Sequence, residues 1–331
     1  MVQFEGLTFG YSEKLLFQDL VLTLQPGTVY GLLGLNGAGK TSLLKLAAGA
    51  LRAQQGSIEV FGKNPTKREA AFLADIAFVP EDPWLPAVKP AVWLDRYSVF
   101  RPCFDRGRFQ VLTQEFSLES DKLLSKYSYG QRKKFALAVA FASGSRLLLL
   151  DEPTNGLDIP SKTQFRRVLA EAIEPSRVIV VSTHQVRDLE SIIDPAVILH
   201  QGKVLFTIAS ETMNSRLYAA HLPDIDVPGV VYAEKDAVGW SALMARNAAG
   251  GESLNAGPAS DAADLELVFN AAIAVPERLA SALNGEALVS RYDGSLYVGS
   301  RDNGSRDNGG KQSGYSDAQN SEFRRPTEVQ R

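Results

Sequence analysis

A chain of 331 residues is long enough to bury one large core and a smaller appendage, and its 45% hydrophobic and 22% charged residues are those of a globular protein. A net charge of -3 leaves no electrostatic footprint for nucleic acid, and no apolar run approaches the roughly 18 residues that a membrane-spanning helix needs, so work on a membrane falls to another chain. The lone Cys103 forms no internal disulfide, and the first residues carry no basic patch followed by an apolar core, so the reducing cytosol is the expected compartment.

From residue 2 to 24, short apolar runs are punctuated by Gly6 and Gly10 and stop at Pro26 and Gly27; a further run over 56–62 is bounded by glycines. Together they predict a small antiparallel sheet. Residues 29–33 read as a short buried strand entering a glycine-rich loop, and 41–48 as a helix, an order that predicts an α/β core. Strands of the same kind are predicted at 76–79, 147–150, 178–182 and 197–200, and an insert with helical spacing predicts a helical subdomain over about 84–145. These elements fill a first domain over 1–208. Beyond it Pro223, Pro228, Gly229 and the small-residue stretch 247–263 interrupt short apolar segments, predicting a small accessory domain over 209–299. In the segment 300–331, Arg301-Asp302-Asn303-Gly304 is repeated as Arg306-Asp307-Asn308-Gly309, and apolar residues are too few to order it; a disordered tail is expected.

Gly34-Leu35-Asn36-Gly37-Ala38-Gly39-Lys40-Thr41 fits G-x-x-x-x-G-K-S/T between a predicted strand and a predicted helix, as a phosphate-binding loop requires. The glycines let successive N–H groups of Asn36, Gly37, Ala38 and Gly39 point into one concavity, where the helix N-terminus adds positive potential. Lys40 is expected to reach the β- and γ-phosphates, Thr41 to offer its hydroxyl to Mg²⁺, and Ser42 to hydrogen-bond the α-phosphate. Leu147-Leu148-Leu149-Leu150-Asp151-Glu152 places two carboxylates at the C-terminal edge of a buried parallel strand, where ligands bind in open α/β sheets. Asp151 is the candidate for holding Mg²⁺, and Glu152 for taking a proton from the attacking water.

Tyr127-Ser128-Tyr129-Gly130-Gln131, followed by Arg132-Lys133-Lys134 and a helical run, resembles the signature motif of ABC ATPases, usually L-S-G-G-Q. The resemblance spans residues 2–206. It implies a P-loop NTPase cassette with a RecA-like core, a small antiparallel β subdomain and a helical signature subdomain, here with a small C-terminal accessory domain. It also implies two cassettes closing head to tail, so that Ser128, Gly130 and Gln131 of one face the γ-phosphate held by the other. Tyr129 departs from the family's glycine. Further landmarks appear in order: Tyr11 resembles the aromatic that stacks on adenine, and Glu81 sits where the family usually has a glutamine that touches Mg²⁺ and water. Asp158, in Asn155-Gly156-Leu157-Asp158, resembles the acid through which each cassette senses the other's site. His184 resembles the switch histidine that contacts the γ-phosphate.

The implied protein is the ATP-binding and ATP-hydrolysing subunit of an ABC transporter, with ATP and Mg²⁺ as cofactors and Glu152, His184 and Lys40 as catalytic residues. Its implied partners are a separately encoded transmembrane permease and a second cassette, in a homodimer or a heterodimer, at the cytoplasmic face of the membrane. Trp84 and Leu85 are expected to line the groove that receives the permease, and residues 264–269 resemble a helix common late in single-cassette subunits. Two other readings stay open. One is a soluble ABC ATPase acting on nucleic acid or the ribosome, against which stand the absence of a heptad run between Lys40 and Asp151 and the single phosphate loop. The other is a nucleotide-dependent regulatory module.

Overall fold

The parallel strands of this protein read as unbroken apolar runs because both faces of their sheet are covered. The computed structural model describes residues 1–246, 262–286 and 288. The chain begins with β1 (Val2–Tyr11), β2 (Lys14–Leu24), β3 (Thr28–Leu33), α1 (Lys40–Ala47) and β4 (Gln55–Val60). It continues through α2 (Ala70–Ala74), β5 (Ile76–Val79), α3 (Pro90–Ser98), α4 (Arg106–Glu115), α5 (Tyr129–Ala142), β6 (Leu147–Asp151), α6 (Ile159–Glu171), β7 (Val178–Thr183), β8 (Ala196–His200) and β9 (Lys203–Ile208). The central sheet has the order β5-β6-β7-β3-β8-β9, parallel except for the β8–β9 pair.

Alternate residues of each core strand enter different cores, as a side-chain period of two demands. Leu147, Leu149, Val178, Val180, Val197 and Leu199 meet α1 and the antiparallel sheet β2-β1-β4 on one face. Leu148, Leu150, Ile179, Val181 and Ile198 meet Phe135, Ala138 and Phe165 of the helices on the other. The six-residue β3 feeds directly into the loop before α1, so the end of a central strand delivers that loop to the sheet's C-terminal edge.

Between β5 and β6, α3 to α5 gather an aromatic core. Trp93 stacks on Tyr97 at 4.5 Å between ring centres and meets Phe135 edge-on at 5.3 Å. Leu85 belongs to this core at 9% exposure, whereas its neighbour Trp84 is 83% exposed. Leu85 is therefore a packing residue and not a groove-lining one; of the expected pair, only Trp84 is open to a partner.

After β9 come α7 (Ser210–Arg216), β10 (Leu217–Leu222), β11 (Val230–Lys235) and β12 (Trp240–Ala245), an antiparallel sheet in the order β10-β12-β11. It is backed by α8 (Leu265–Ala274), whose N-cap is Asp264, and α9 (Pro276–Leu283). Val231, Leu243, Val268 and Leu279 of these elements join the same apolar cluster as β6 and β7. Most of the stretch 247–263 and the whole tail 300–331 lie outside the described residues.

One ion-pair cluster fastens the start of β5 to that of β6. Arg146 donates Nη2 and Nε to the two oxygens of Asp75 at 2.7 and 3.2 Å, and Lys63 donates to Asp75 Oδ2 at 3.0 Å. Burial alone would raise the Asp75 carboxyl, but these donors outweigh it and hold it below the usual carboxylate range. A depressed folded value means stability that is present above the unfolded value of about 3.9 and is lost as pH falls through the folded one. Asp75→Asn should thus cost on the order of 1 kcal/mol at neutral pH, and the gap from the parent should close in acid; denaturant titrations at both pH values check this.

Candidate functional site

The loop between β3 and α1 turns on two left-handed glycines, Gly37 at φ 82° and Gly39 at φ 107°, a region that resists a β-carbon. At Gly34 a Cβ would fall 2.6 Å from the carbonyl oxygen of Leu199, and at Gly39 one would fall 2.7 Å from the Phe17 ring. The loop is thus shaped by neighbours on β8 and β2, and it opens onto a cavity of about 500 Å³ lined by residues 35–42 with Tyr11, Lys14, Leu15, Leu16, Glu81 and Glu152.

Lys40 is buried at the first position of α1, its Nζ donating to the carbonyl oxygen of Gly34 at 2.7 Å and standing 3.5 Å from Glu152 Oε1. Thr41 donates its hydroxyl to Asp151 Oδ2 at 2.8 Å, and Ser182 at the end of β7 donates to Asp151 Oδ1 at 2.6 Å. The second carboxylate, Glu152, leaves β6 in the left-handed region at φ 44°. Its N–H donates to Ser182 Oγ at 3.1 Å, and its Oε1 lies 2.9 Å from His184 Nδ1. Its other oxygen, Oε2, is buried without a partner among the described residues. A buried acceptor without a donor is unusual.

Tyr11 stands half-exposed at the cavity, its hydroxyl 3.1 Å from Ser42 Oγ and its ring edge-on to Phe9. Glu81, after β5, is on the cavity wall with its carboxylate accepting from Asn155 Nδ2 at 3.1 Å. The structure therefore brings Tyr11, residues 36–42, Glu81, Asp151, Glu152 and His184 together.

Ser128, Gly130 and Gln131 do not line this cavity among the described residues. They form the N-terminus of α5, where Ser128 Oγ accepts from Gln131 N–H and Gln131 Oε1 accepts from Ser128 N–H, a reciprocal cap. Asp158 likewise caps α6 by accepting from Ser161 N–H at 2.9 Å. Sequence reasoning missed Ser182, seen only as a strand end, and Lys133, seen only as a basic residue after the signature. Lys133 is fully buried, with its Nζ 3.1 Å from the carbonyl oxygen of Glu152; burial pushes its ammonium down to about 8 against the pull of Glu81, Asp151 and Glu152.

A family model described as "ABC transporter" matches residues 17–155. The chain is 30% identical over 211 residues to the ABC transporter ATP-binding protein NatA of Bacillus subtilis (strain 168), spanning 59% of this chain and 82% of that one. It is 29% identical over 222 residues to the bacitracin transport ATP-binding protein BcrA of Bacillus licheniformis, spanning 65% of this chain and 72% of that one. A solved ATP-binding subunit of an ABC transporter matches its fold with a TM-score of 0.60 at 24% identity, over 65% of this chain and 92% of that one. So does a dimeric ATP-binding cassette in a post-hydrolysis state bound to ADP and Pi, with a TM-score of 0.55 at 19% identity, over 63% and 98%.

Proposed function

The chain belongs to the family of ABC transporter ATP-binding proteins, and on that premise we propose that ATP and Mg²⁺ sit in the cavity over residues 34–42 and are covered by Ser128, Gly130 and Gln131 of a second cassette. The chain is the ATP-binding and ATP-hydrolysing subunit of its transporter and drives a separately encoded permease. In this reading residues 1–208 are the cassette, with its helical part at about 84–145, and residues 209–299 an accessory domain. No described helix is long and apolar enough to cross a membrane, and in this reading the permease is what holds the subunit at the cytoplasmic face.

The observation that carries the catalytic assignment is the place of Glu152: it lines the phosphate-loop cavity with one carboxylate oxygen held by His184 and Lys40. The Glu152 carboxylate takes the proton of the attacking water once Lys40 has turned to phosphate, while His184 fixes its rotamer. Lys40 exchanges the Gly34 carbonyl for phosphate oxygens, and Tyr11 covers the base. Thr41 Oγ1 and Asp151 Oδ2, 2.8 Å apart, are hard oxygen donors of the kind Mg²⁺ takes, with Glu81 on the cavity wall beside them. What the metal supplies when bound is neutralisation of charge on the β- and γ-phosphate oxygens. Phosphate release from ATP by the full chain should accordingly stop when EDTA removes divalent metal; release that continues at the same rate counts against the Thr41 and Asp151 assignment.

A site shared between chains is tested by mixing two inactive variants. Lys40→Ala disables the loop, and Ser128→Asp keeps the helix cap but sets a negative charge against the γ-phosphate. If the site is composite, a mixed dimer holds one doubly damaged site and one intact site, so the mixture hydrolyses ATP where neither variant alone does. No recovery on mixing, with dimers present, argues that loop and signature do not cooperate between chains.

A further inference from the structure

Where the family resemblance has a glycine, this chain has Tyr129, and the bulk of that side chain goes inward. Its hydroxyl donates to the carbonyl oxygen of Glu81 at 2.8 Å, and its ring covers Gly156, where a Cβ would fall 2.3 Å from Tyr129 Cε1. One helical turn further along the same face of α5, Lys133 runs beneath the ring, its Nζ 5.7 Å from the ring centre. Its partners are backbone carbonyls: Glu152 at 3.1 Å, Asp151 at 3.4 Å and Pro80 at 3.4 Å. Two side chains of the signature helix thus hold four carbonyl oxygens, and all four belong to the segments that carry Glu81 and Glu152.

The choice of residue is informative. An ammonium with 0% exposure is expensive to desolvate, and an apolar side chain of the same length would dock a helix as well. What an ammonium adds is a hold on the backbone of Glu152, which sits at φ 44° and persists in that left-handed conformation only where its surroundings over-determine it. Ser182 holds its N–H from the β7 side, and Lys133 holds its carbonyl from the α5 side.

We propose that Tyr129 and Lys133 are positioning residues that pass engagement of Ser128, Gly130 and Gln131 by nucleotide on a second cassette to this chain's own Glu152. The proposal rests on the reading of Glu152 as general base. A shift of α5 on meeting nucleotide moves the carbonyls of Glu81 and Glu152 with it, so each site turns over faster when its chain also covers a loaded second site.

The test is steady-state ATP hydrolysis by the full chain with its permease. Lys133→Met, which keeps the volume and loses the donors, should lower kcat about tenfold with KM for ATP within about twofold, the pattern of an interaction that acts on the chemical step. Lys133→Gln, which restores N–H donors, should recover most of that loss. Tyr129→Phe, which removes only the hydroxyl, should lower kcat about threefold, and the double variant Tyr129→Phe with Lys133→Met should fall short of the product of the two effects because the residues act as a unit. If Lys133→Met does not fold, as judged by its unfolding midpoint, Tyr129→Phe carries the test alone. A kcat within about 1.5-fold of the parent in Tyr129→Phe, or a loss in Lys133→Met expressed in KM alone, overturns the proposal. Glu152→Gln run alongside separates the two levels: if it is inert while the α5 variants behave as the parent, the inference fails and the site reading stands, and if it turns over normally the site reading itself fails.

Discussion

Glu152→Gln should bind ATP as the parent does and release phosphate about 10² to 10⁴ times more slowly, the range expected when a positioned general base is removed. The substitution is nearly isosteric, so the amide oxygen can still face His184 Nδ1, now 2.9 Å from Oε1. What changes is the chemistry: a carboxylate that can take a proton becomes an amide that cannot. Nucleotide then remains between the loop of one chain and the signature of the next, and the closed dimer accumulates because hydrolysis no longer resets it. Phosphate release and light scattering on ATP-loaded protein measure the two halves of this expectation. Turnover within a few-fold of the parent would remove Glu152 from the mechanism.

The sheet was legible in the sequence for a specific reason. Strands buried on both faces, such as β6 with Leu147 to Leu150 all enclosed, write themselves as apolar runs that no loop imitates. The edge strand β9, mostly half-buried from Lys203 to Phe206, carries too weak a pattern to stand out, and the strands of the β10-β12-β11 sheet show only as short apolar segments. The loop over residues 34–41 was legible because its glycines, Lys40 and Thr41 lie in one consecutive pattern. Contacts that join distant segments were not: nothing near Lys133 or Tyr129 in the chain announces the carbonyls of residues 80, 81, 151 and 152. Trp84 and Leu85 show the same limit at short range, since adjacent residues of irregular backbone give no period from which to tell the inner side chain from the outer one. The caps formed by Ser128 and Asp158 add a different lesson, because each residue singled out for contact with nucleotide also satisfies orphan N–H groups of its own helix. A cap and a ligand contact use the same geometry, an oxygen beside a helix N-terminus, so structure of one chain alone shows the first and leaves room for the second.

Lys40→Ala should have the opposite effect on assembly. The Lys40 side chain is 7% exposed and lies folded over its own loop, with Nζ on the Gly34 carbonyl at 2.7 Å and near Glu152 at 3.5 Å. An ammonium placed on a carbonyl and near a carboxylate at the wall of a cavity of about 500 Å³ is a positive charge that phosphate oxygens would satisfy in the proposed complex. A hydrogen bond involving a charged group contributes about 1.5 to 3 kcal/mol, so its removal should weaken ATP binding about 10- to 100-fold. The backbone cradle, shaped by Gly37 and Gly39, remains in the variant, which is why binding should weaken and not vanish. Equilibrium binding of ATP to the full chain measures the loss, and an affinity within twofold of the parent would place the ammonium elsewhere than on phosphate. Paired with Glu152→Gln, the variant separates capture from chemistry: a dimer held together by bound triphosphate should build up when the base is lost and need about 10- to 100-fold more ATP to form when the lysine is lost. Dimers that accumulate equally in both variants would mean that something other than nucleotide joins the two cassettes.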